Sequence, residues 1–285
     1  MKTMNHSVRI MGLCALVALA ATSCQKNEEK LTNTLTAELN QPTCEGKTHI
    51  GADNYLVWDA NDQVIVLNAS TWEPQTFAAT SGGTTHTTFT STGMIDPNTT
   101  YYAFYPVNYV TGIVGDYVSM TIPATQTYVE GSFATNTYPM AATNNGSGTA
   151  FSFRGMFGVL AIPLTGNCTI GSVELTDAAY NLCGNISTRI SSLNLSKSNS
   201  IPDPAESSNT SRTVTLICEG GLTLTSTPQV IMFALRPLAC SQGFTVTFKD
   251  IYGEVITSKT APARMGNVMR PNTIVQMPAV DITNP

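Results

Sequence analysis

Seven thiols, three imidazoles and one acidic turn are the residues of this chain whose types invite chemistry. Cys24 is the one with a defined context. It closes the run Leu19-Ala20-Ala21-Thr22-Ser23, and the polar stretch Gln25-Lys26-Asn27-Glu28-Glu29-Lys30 follows at once. Upstream lie Lys2 and Arg9, then an uncharged stretch from Ile10 to Ala21. A positive start, an apolar middle and small residues at a cut are the layout of a secretory signal, here residues 1–23. The apolar run is too short for the roughly 20 residues that a bilayer-crossing helix needs.

A cysteine at the cut resembles the bacterial lipoprotein signal, in which the thiol receives a diacylglycerol and becomes the new N-terminus. That resemblance implies a lipidated tether over 24–30. Ala21 stands where the lipoprotein pattern prefers Leu. Ala18-Leu19-Ala20 also reads as an ordinary cleavage site, which would leave a secreted chain with an incidental Cys24. With lipid in place, each buried methylene contributes about 0.8 kcal/mol, and two or more acyl chains anchor stably. The expected location is then the outer membrane, lipid-anchored. The charged tether is similar to those of lipoproteins exported to the cell surface.

The remaining thiols are Cys44, Cys168, Cys183, Cys218 and Cys240. Their odd number leaves at least one free. Up to two disulfides fit in the C-terminal half; buried, unpaired thiols are the plainer reading. Without a C-x-x-C pair, and with only His49 and His86 beyond the signal, no metal site is expected. Both imidazoles sit in Thr- and Gly-rich surroundings with no nucleophile elbow nearby, so no catalytic residue is assigned and the chain is not expected to be an enzyme. No cofactor is implied. Asp59-x-Asn61-Asp62 lacks the Gly and distal Glu of a calcium-binding loop and reads as a turn. Trp58 and Trp72 with Tyr101, Tyr102 and Tyr105 form either a sugar-stacking platform or, the preferred reading, core.

Removing Lys2 and Arg9 with the signal leaves twelve basic against nineteen acidic residues, a net of −7. No basic cluster is present, so nucleic acid is not an expected partner. Charged residues are only 12% of the chain. Thr, Ser and Asn carry the polarity instead, as suits strands with one face in water.

The pattern of elements agrees. Over 31–39, Leu31, Leu35, Ala37 and Leu39 alternate with Thr32, Thr34, Thr36 and Glu38, a half-buried strand. Short strands are expected at 55–58, 63–67, 84–92, 101–105, 118–122, 151–153, 158–164, 170–175, 212–218, 229–235 and 244–248, with another after Lys249-Asp250. The run 273–282 is the last. Residues 196–211 read as a polar loop, and Asn144-Asn145-Gly146-Ser147-Gly148 as the division between an N-terminal unit, 31–148, and a C-terminal unit, 149–285. No window beyond the signal has a helical period. Short strands separated by turn residues predict an all-β chain of two β-sandwich domains.

The order of motifs resembles the fimbrillin superfamily, β-rich pilin subunits and pilin-like lipoproteins of Bacteroidetes-type bacteria. Trp58-Asp59-Ala60-Asn61-Asp62-Gln63-Val64-Ile65-Val66 is similar to its Trp, acidic turn, apolar strand signature. Tyr101-Tyr102-Ala103-Phe104-Tyr105-Pro106 resembles its aromatic strand, and Ile122-Pro123-Ala124-Thr125-Gln126 its Ile-Pro-x-x-Gln turn. Phe151-Ser152-Phe153-Arg154, followed by Gly158-Val159-Leu160-Ala161-Ile162, looks like the strand entering its second domain. The resemblance implies two sandwiches, the second transthyretin-like, and a structural or adhesive role as pilus subunit, tip or anchor. Its partners would be other pilin subunits or surface ligands of host or bacteria.

The resemblance also implies assembly by strand exchange, with residues 31–39 as the removable first strand. Polymerising relatives are typically cut after Arg, and none lies between Arg9 and Arg154 here, so Lys47 and Lys30 are the candidate processing sites. Thr273–Val280 is either a donor strand or, as Pro278 favours, a plain closing strand. The alternative function is a surface glycan-binding lipoprotein serving nutrient capture.

Overall fold

A computed structural model of the chain describes residues 30–45, 56–133, 137–193, 195, 205–237, 239–264 and 268–283. The signal, Cys24, Lys47 and His49 lie outside the described residues.

The chain is all-β, as its pattern predicts. Twelve strands come first: β1 (Thr32–Leu39), β2 (Thr43–Glu45), β3 (Gln63–Asn68), β4 (Pro74–Ala79), β5 (His86–Ile95), β6 (Tyr101–Tyr105), β7 (Val110–Val114), β8 (Tyr117–Ile122), β9 (Thr125–Val129), β10 (Ser132–Phe133), β11 (Met140–Thr143) and β12 (Ala150–Gly155). Ten follow: β13 (Gly158–Gly166), β14 (Thr169–Asp177), β15 (Cys183–Arg189), β16 (Ala205–Ser211), β17 (Thr213–Thr223), β18 (Gln229–Leu235), β19 (Gly243–Lys249), β20 (Val255–Pro262), β21 (Thr273–Gln276) and β22 (Val280–Ile282). Alternation explains most of them. In β19, Phe244, Val246 and Phe248 are buried while Thr245 and Thr247 face outward and bond Thr260 and Ser258 of β20.

In the first half the layers join along both edges. Strands run β1-β12-β11-β6-β3-β4-β5, and β5 returns to β1, closing a barrel. Only the β1–β12 pair is parallel. Trp58 fills the middle, fully buried, meeting Phe89, Tyr105 and Phe153 edge-on at 5.0, 5.4 and 5.2 Å. It belongs to no strand: a single bridge to Thr84 holds it, where 55–58 was expected to be extended. The acidic stretch after it is the turn its sequence suggests. Asn61 takes the left-handed conformation (φ 70°), and Asp62 accepts hydrogen bonds from the Asp59 N–H and the Tyr105 hydroxyl.

The other strands form a six-stranded sheet (β10-β9-β17-β14-β19-β20), a five-stranded sheet (β18-β13-β21-β2, with β22 also on β13) and a four-stranded sheet (β16-β15-β8-β7). These sheets cross residue 148 in both directions. β12 completes the barrel, whereas β8 pairs with β15 and β9 pairs with β17. Residues 144–148 tie β11 to β12: the Asn144 side chain accepts from the Tyr101 and Gly146 N–H groups and donates to the Thr99 and Gly148 carbonyls.

Two further expectations are corrected. Residues 205–211, within the predicted loop, are β16, which pairs antiparallel with β15 although its sequence has no apolar alternation. The terminal run is two strands, broken between Gln276 and Val280 around Pro278, and both lie parallel on β13. The plainer reading of the C-terminal cysteines holds: Cys168, Cys183, Cys218 and Cys240 are free thiols.

Candidate functional site: the first strand and its groove

β1 lies between β5, to which it is antiparallel, and β12, to which it is parallel. Leu35 sits opposite Phe89, and Ala37 and Leu39 opposite Phe151 and Phe153. All three inward residues of β1 are buried. The expected apolar face is one residue too long, however: Leu31 is 59% exposed. The register to β5 shifts between Thr32 and Thr34, where Thr32 reaches Ile95, so the alternation runs out of barrel before Leu31.

The chain then leaves the barrel without leaving the fold. The Asn40 amide donates to Ser152 Oγ (2.6 Å) and its backbone N–H to the Phe153 carbonyl (2.9 Å). Gln41 clamps Leu56 through both backbone groups. β2 follows, parallel to β21, with Thr43, Cys44 and Glu45 opposite Thr273, Ile274 and Val275. One segment, 32–45, therefore closes the barrel and also covers the edge of a second sheet.

Asn272 is the knot between them, and sequence reasoning did not single it out. It is buried with φ 55°, a conformation Asn tolerates better than most residues. Its Oδ1 accepts from the Gly155 N–H (3.0 Å) and its Nδ2 donates to the Gln41 carbonyl (3.2 Å). Its own N–H donates to the Phe157 carbonyl, and its carbonyl accepts from the Thr43 N–H. The one available signal was the Pro271-Asn272 pair before a strand, a common turn opening.

The two candidate cut sites differ in consequence. Lys30 is exposed and precedes β1, so a cut there trims only the tether. Lys47 follows β2 in the chain, so a cut there would separate both strands from the rest.

The other residues singled out from the sequence are scattered. His86 is exposed on β5, opposite Glu38. Among the described residues no three His, Cys, Asp or Glu side chains are placed to hold a metal. Burial pushes the Cys218 thiol up to about 11 and the Cys240 thiol, with Asp177 nearby, up to about 12; Cys168 and Cys183 are raised for the same reason. Cys44 is exposed. The five aromatics do not make one platform. Trp58, Tyr101 and Tyr105 are buried, while Trp72 and Tyr102, both half-buried, stack at 6.3 Å.

No protein-family model and no curated protein matches the chain. Among solved structures it is similar to a candidate cell adhesion protein of Bacteroides uniformis, with a TM-score of 0.53 at 13% identity over 88% of this chain and 92% of that one. A second, from Bacteroides ovatus, gives a TM-score of 0.52 at 12% identity over 88% and 92%. The chain has the fold of these two proteins.

Proposed function

We propose that this chain is a cell-surface lipoprotein of the fimbrillin type, a non-catalytic structural or adhesive component of a pilus, held to the outer membrane through Cys24. The observation that carries the reading is the segment 32–45, which supplies one strand to the barrel and one to the sheet beside it. The shared fold with candidate adhesion proteins supports it.

The mechanism follows from backbone pairing. A strand between two neighbours satisfies donors and acceptors on both sides, and its alternate side chains fill pockets. Removal of β1 would bare the facing edges of β5 and β12 and the pockets of Leu35 and Leu39. Burial of each leucine contributes roughly 1.5–3 kcal/mol. Unpaired edges recruit another strand. A neighbouring subunit is the intended donor, and the cut decides when it is accepted. A chain left uncut would act instead as anchor or tip.

Limited trypsin digestion of the full chain tests this. Cleavage after Lys47 is expected to release a peptide containing β1 and β2 and to produce oligomers that survive dodecyl sulfate without heating. Lys47→Ala should remain monomeric, while Lys30→Ala should behave as the parent. A chain cleaved after Lys47 that stays monomeric would remove strand exchange from the proposal. Separately, Cys24→Ala should move the protein from the membrane fraction to the soluble one, and the parent should carry acyl mass on its N-terminal peptide.

A further inference from the structure

A cavity of about 620 Å³ opens between the six-stranded and five-stranded sheets, and no residue of β1 lines it. Its floor is apolar: Leu160 and Ile162 from β13, and Phe244, Val246 and Phe248 from β19. Its rims are edge strands. Among the described residues β20 pairs only with β19, and β22 only with β13.

The cavity exists because β20 does not supply the side chains a core strand would. Opposite Phe244, Val246 and Phe248 stand Ala261, Lys259 and Thr257. Partners across an antiparallel pair share a face. The edge strand therefore turns a methyl, an ammonium and a hydroxyl toward the space between the sheets. Lys259 is exposed, as are Arg264 and Asp281, which also line the opening. Two cations against one carboxylate make this mouth locally positive on a chain whose formal net charge is −5. Gln276 lines the cavity too, and its buried Oε1 has no hydrogen-bond partner among the described residues.

The rims bear on the occupant. An extended peptide would need an open row of backbone donors along one edge. Pro262 ends β20 and Pro278 interrupts the passage from β21 to β22, so each rim lacks a donor. An inward-facing lysine on an edge strand also opposes pairing with another strand. A flexible apolar chain needs no backbone partner. Small-molecule pockets of this kind run from about 300 to 1,000 Å³, with apolar walls and a few placed polar groups.

We infer that this cavity binds an anionic amphiphile: an acyl chain laid over Phe244, Val246 and Leu160, its anionic head at Lys259 and Arg264. Gln276 Oε1 would take a hydroxyl or water carried in with it. The chemistry is shared by a free long-chain carboxylate and by an acidic membrane lipid.

The test is displacement of cis-parinaric acid from the full chain in detergent-free buffer. Saturable binding is expected, with dodecanoate and tetradecanoate as competitors and an affinity rising about fourfold per added methylene until the chain fills the cavity. Dodecanol should compete at least about tenfold more weakly, as loss of one favourable charge contact requires. The double variant Lys259→Glu, Arg264→Glu should lose at least about tenfold in affinity for dodecanoate at an unchanged melting temperature. Ala261→Phe should abolish binding by filling the mouth. Should that variant not fold, the charge reversal decides, because both residues are exposed. Equal competition by dodecanol and dodecanoate, or binding that survives a folded Ala261→Phe, would overturn the proposal. So would dimerisation through this face without amphiphile binding, which would assign the cavity to a second copy. Transfer of pyrene-labelled phosphatidylglycerol from vesicles identifies the membrane lipid as the source; binding of monomeric dodecanoate without such transfer identifies the free acid.

Discussion

The barrel and the pair of sheets beyond it are built from the same kind of strand, yet they end differently. The barrel has no edge, because β5 returns to β1. Its interior holds an indole, three rings packed edge-on around it, and the inward face of β1. The six- and five-stranded sheets keep open edges; around their cavity, where a further strand could have packed, those edges are guarded by Lys259 and Pro262 of β20 and by Pro278 before β22. A closed sheet is safe from stray pairing until one strand is taken out. Guarded edges are safe throughout. Closure thus concentrates the barrel's vulnerability in a single segment near the N-terminus.

The contrast is sharpest in how each region tolerates loss of a side chain. Trp58→Ala should destabilise the chain by about 3–5 kcal/mol and Leu35→Ala by about 2–5 kcal/mol, since each leaves a void in a closed interior. Val255→Ala, on the exposed start of β20, should stay within about 0.5 kcal/mol. Urea unfolding of the three variants measures all of this. Equal losses in barrel and edge strand would erase the distinction.

The joint between the regions should respond next. At Gly155 a Cβ would collide with the buried Tyr138 ring, whose hydroxyl donates to the Phe157 carbonyl. Gly155→Ala should cost about 1–3 kcal/mol through overpacking, more if Tyr138 has to give up that bond. Asn272→Ala strips the Gly155 N–H of its acceptor, a penalty of about 1–3 kcal/mol, and puts a Cβ residue at φ 55° with no compensating side-chain bond. Asn272→Gly relieves the backbone and should recover about 1 kcal/mol of that loss. If glycine were no better than alanine here, the backbone part of this account would fail. Both Asn272 variants should also speed trypsin release of β1 and β2, because the Gln41 carbonyl loses its donor.

Much of the barrel was legible because its strands obey period two. LTNTLTAEL and QVIVL carry their burial in their spelling, and Leu35, Ala37 and Leu39 were placed on the right face; YYAFY is apolar throughout, and only Tyr102 is left partly open. Leu31 was not, because alternation continues past the point where the barrel stops. β16 was missed for a related reason. AESSNTS pairs with β15 through its backbone and through Ser208, which accepts from the Asn185 amide, and hydropathy does not register a strand spelled in Ser, Asn and Thr. Asn272 and Gln126 escaped because their partners are remote. Gln126 belongs to the Ile-Pro-x-x-Gln turn, yet its amide clamps Ala234, 108 residues along the chain, and so ties the six-stranded sheet to the five-stranded one. The cavity left no mark in the sequence, since Lys259 in VITSKTAP reads as an ordinary solvent-facing residue until the register places it beside Val246.

Thiol reactivity should separate the regions more gently. Cys44 on β2 is exposed, whereas burial raises Cys218 to about 11 and Cys240 to about 12. At neutral pH iodoacetamide should modify Cys44 first, because the thiolate is the reacting species and the buried thiols are almost wholly protonated. Release of β1 and β2 would carry that label away with the peptide. Rapid modification of Cys240 in the intact chain would mean that the cavity side of β19 opens far more than its burial suggests.

The smallest effect lies in the acidic turn at the mouth of the barrel. Burial raises the Asp62 carboxyl above its ordinary value, although the Asp59 N–H and the Tyr105 hydroxyl both bond it and pull the other way. A carboxyl raised on folding binds its proton more readily in the native state than in the unfolded one. Its contribution is therefore fully present below the unfolded value near 3.8 and is lost as pH rises through the higher native value. Asp62→Asn removes this titration while keeping one acceptor for Tyr105. The difference in melting temperature between parent and variant should then shift in the parent's favour as pH falls from 7 toward 4. A difference that is flat over that range, or that moves against the parent, would mean that the two hydrogen bonds outweigh burial and that this turn is built to hold a charge.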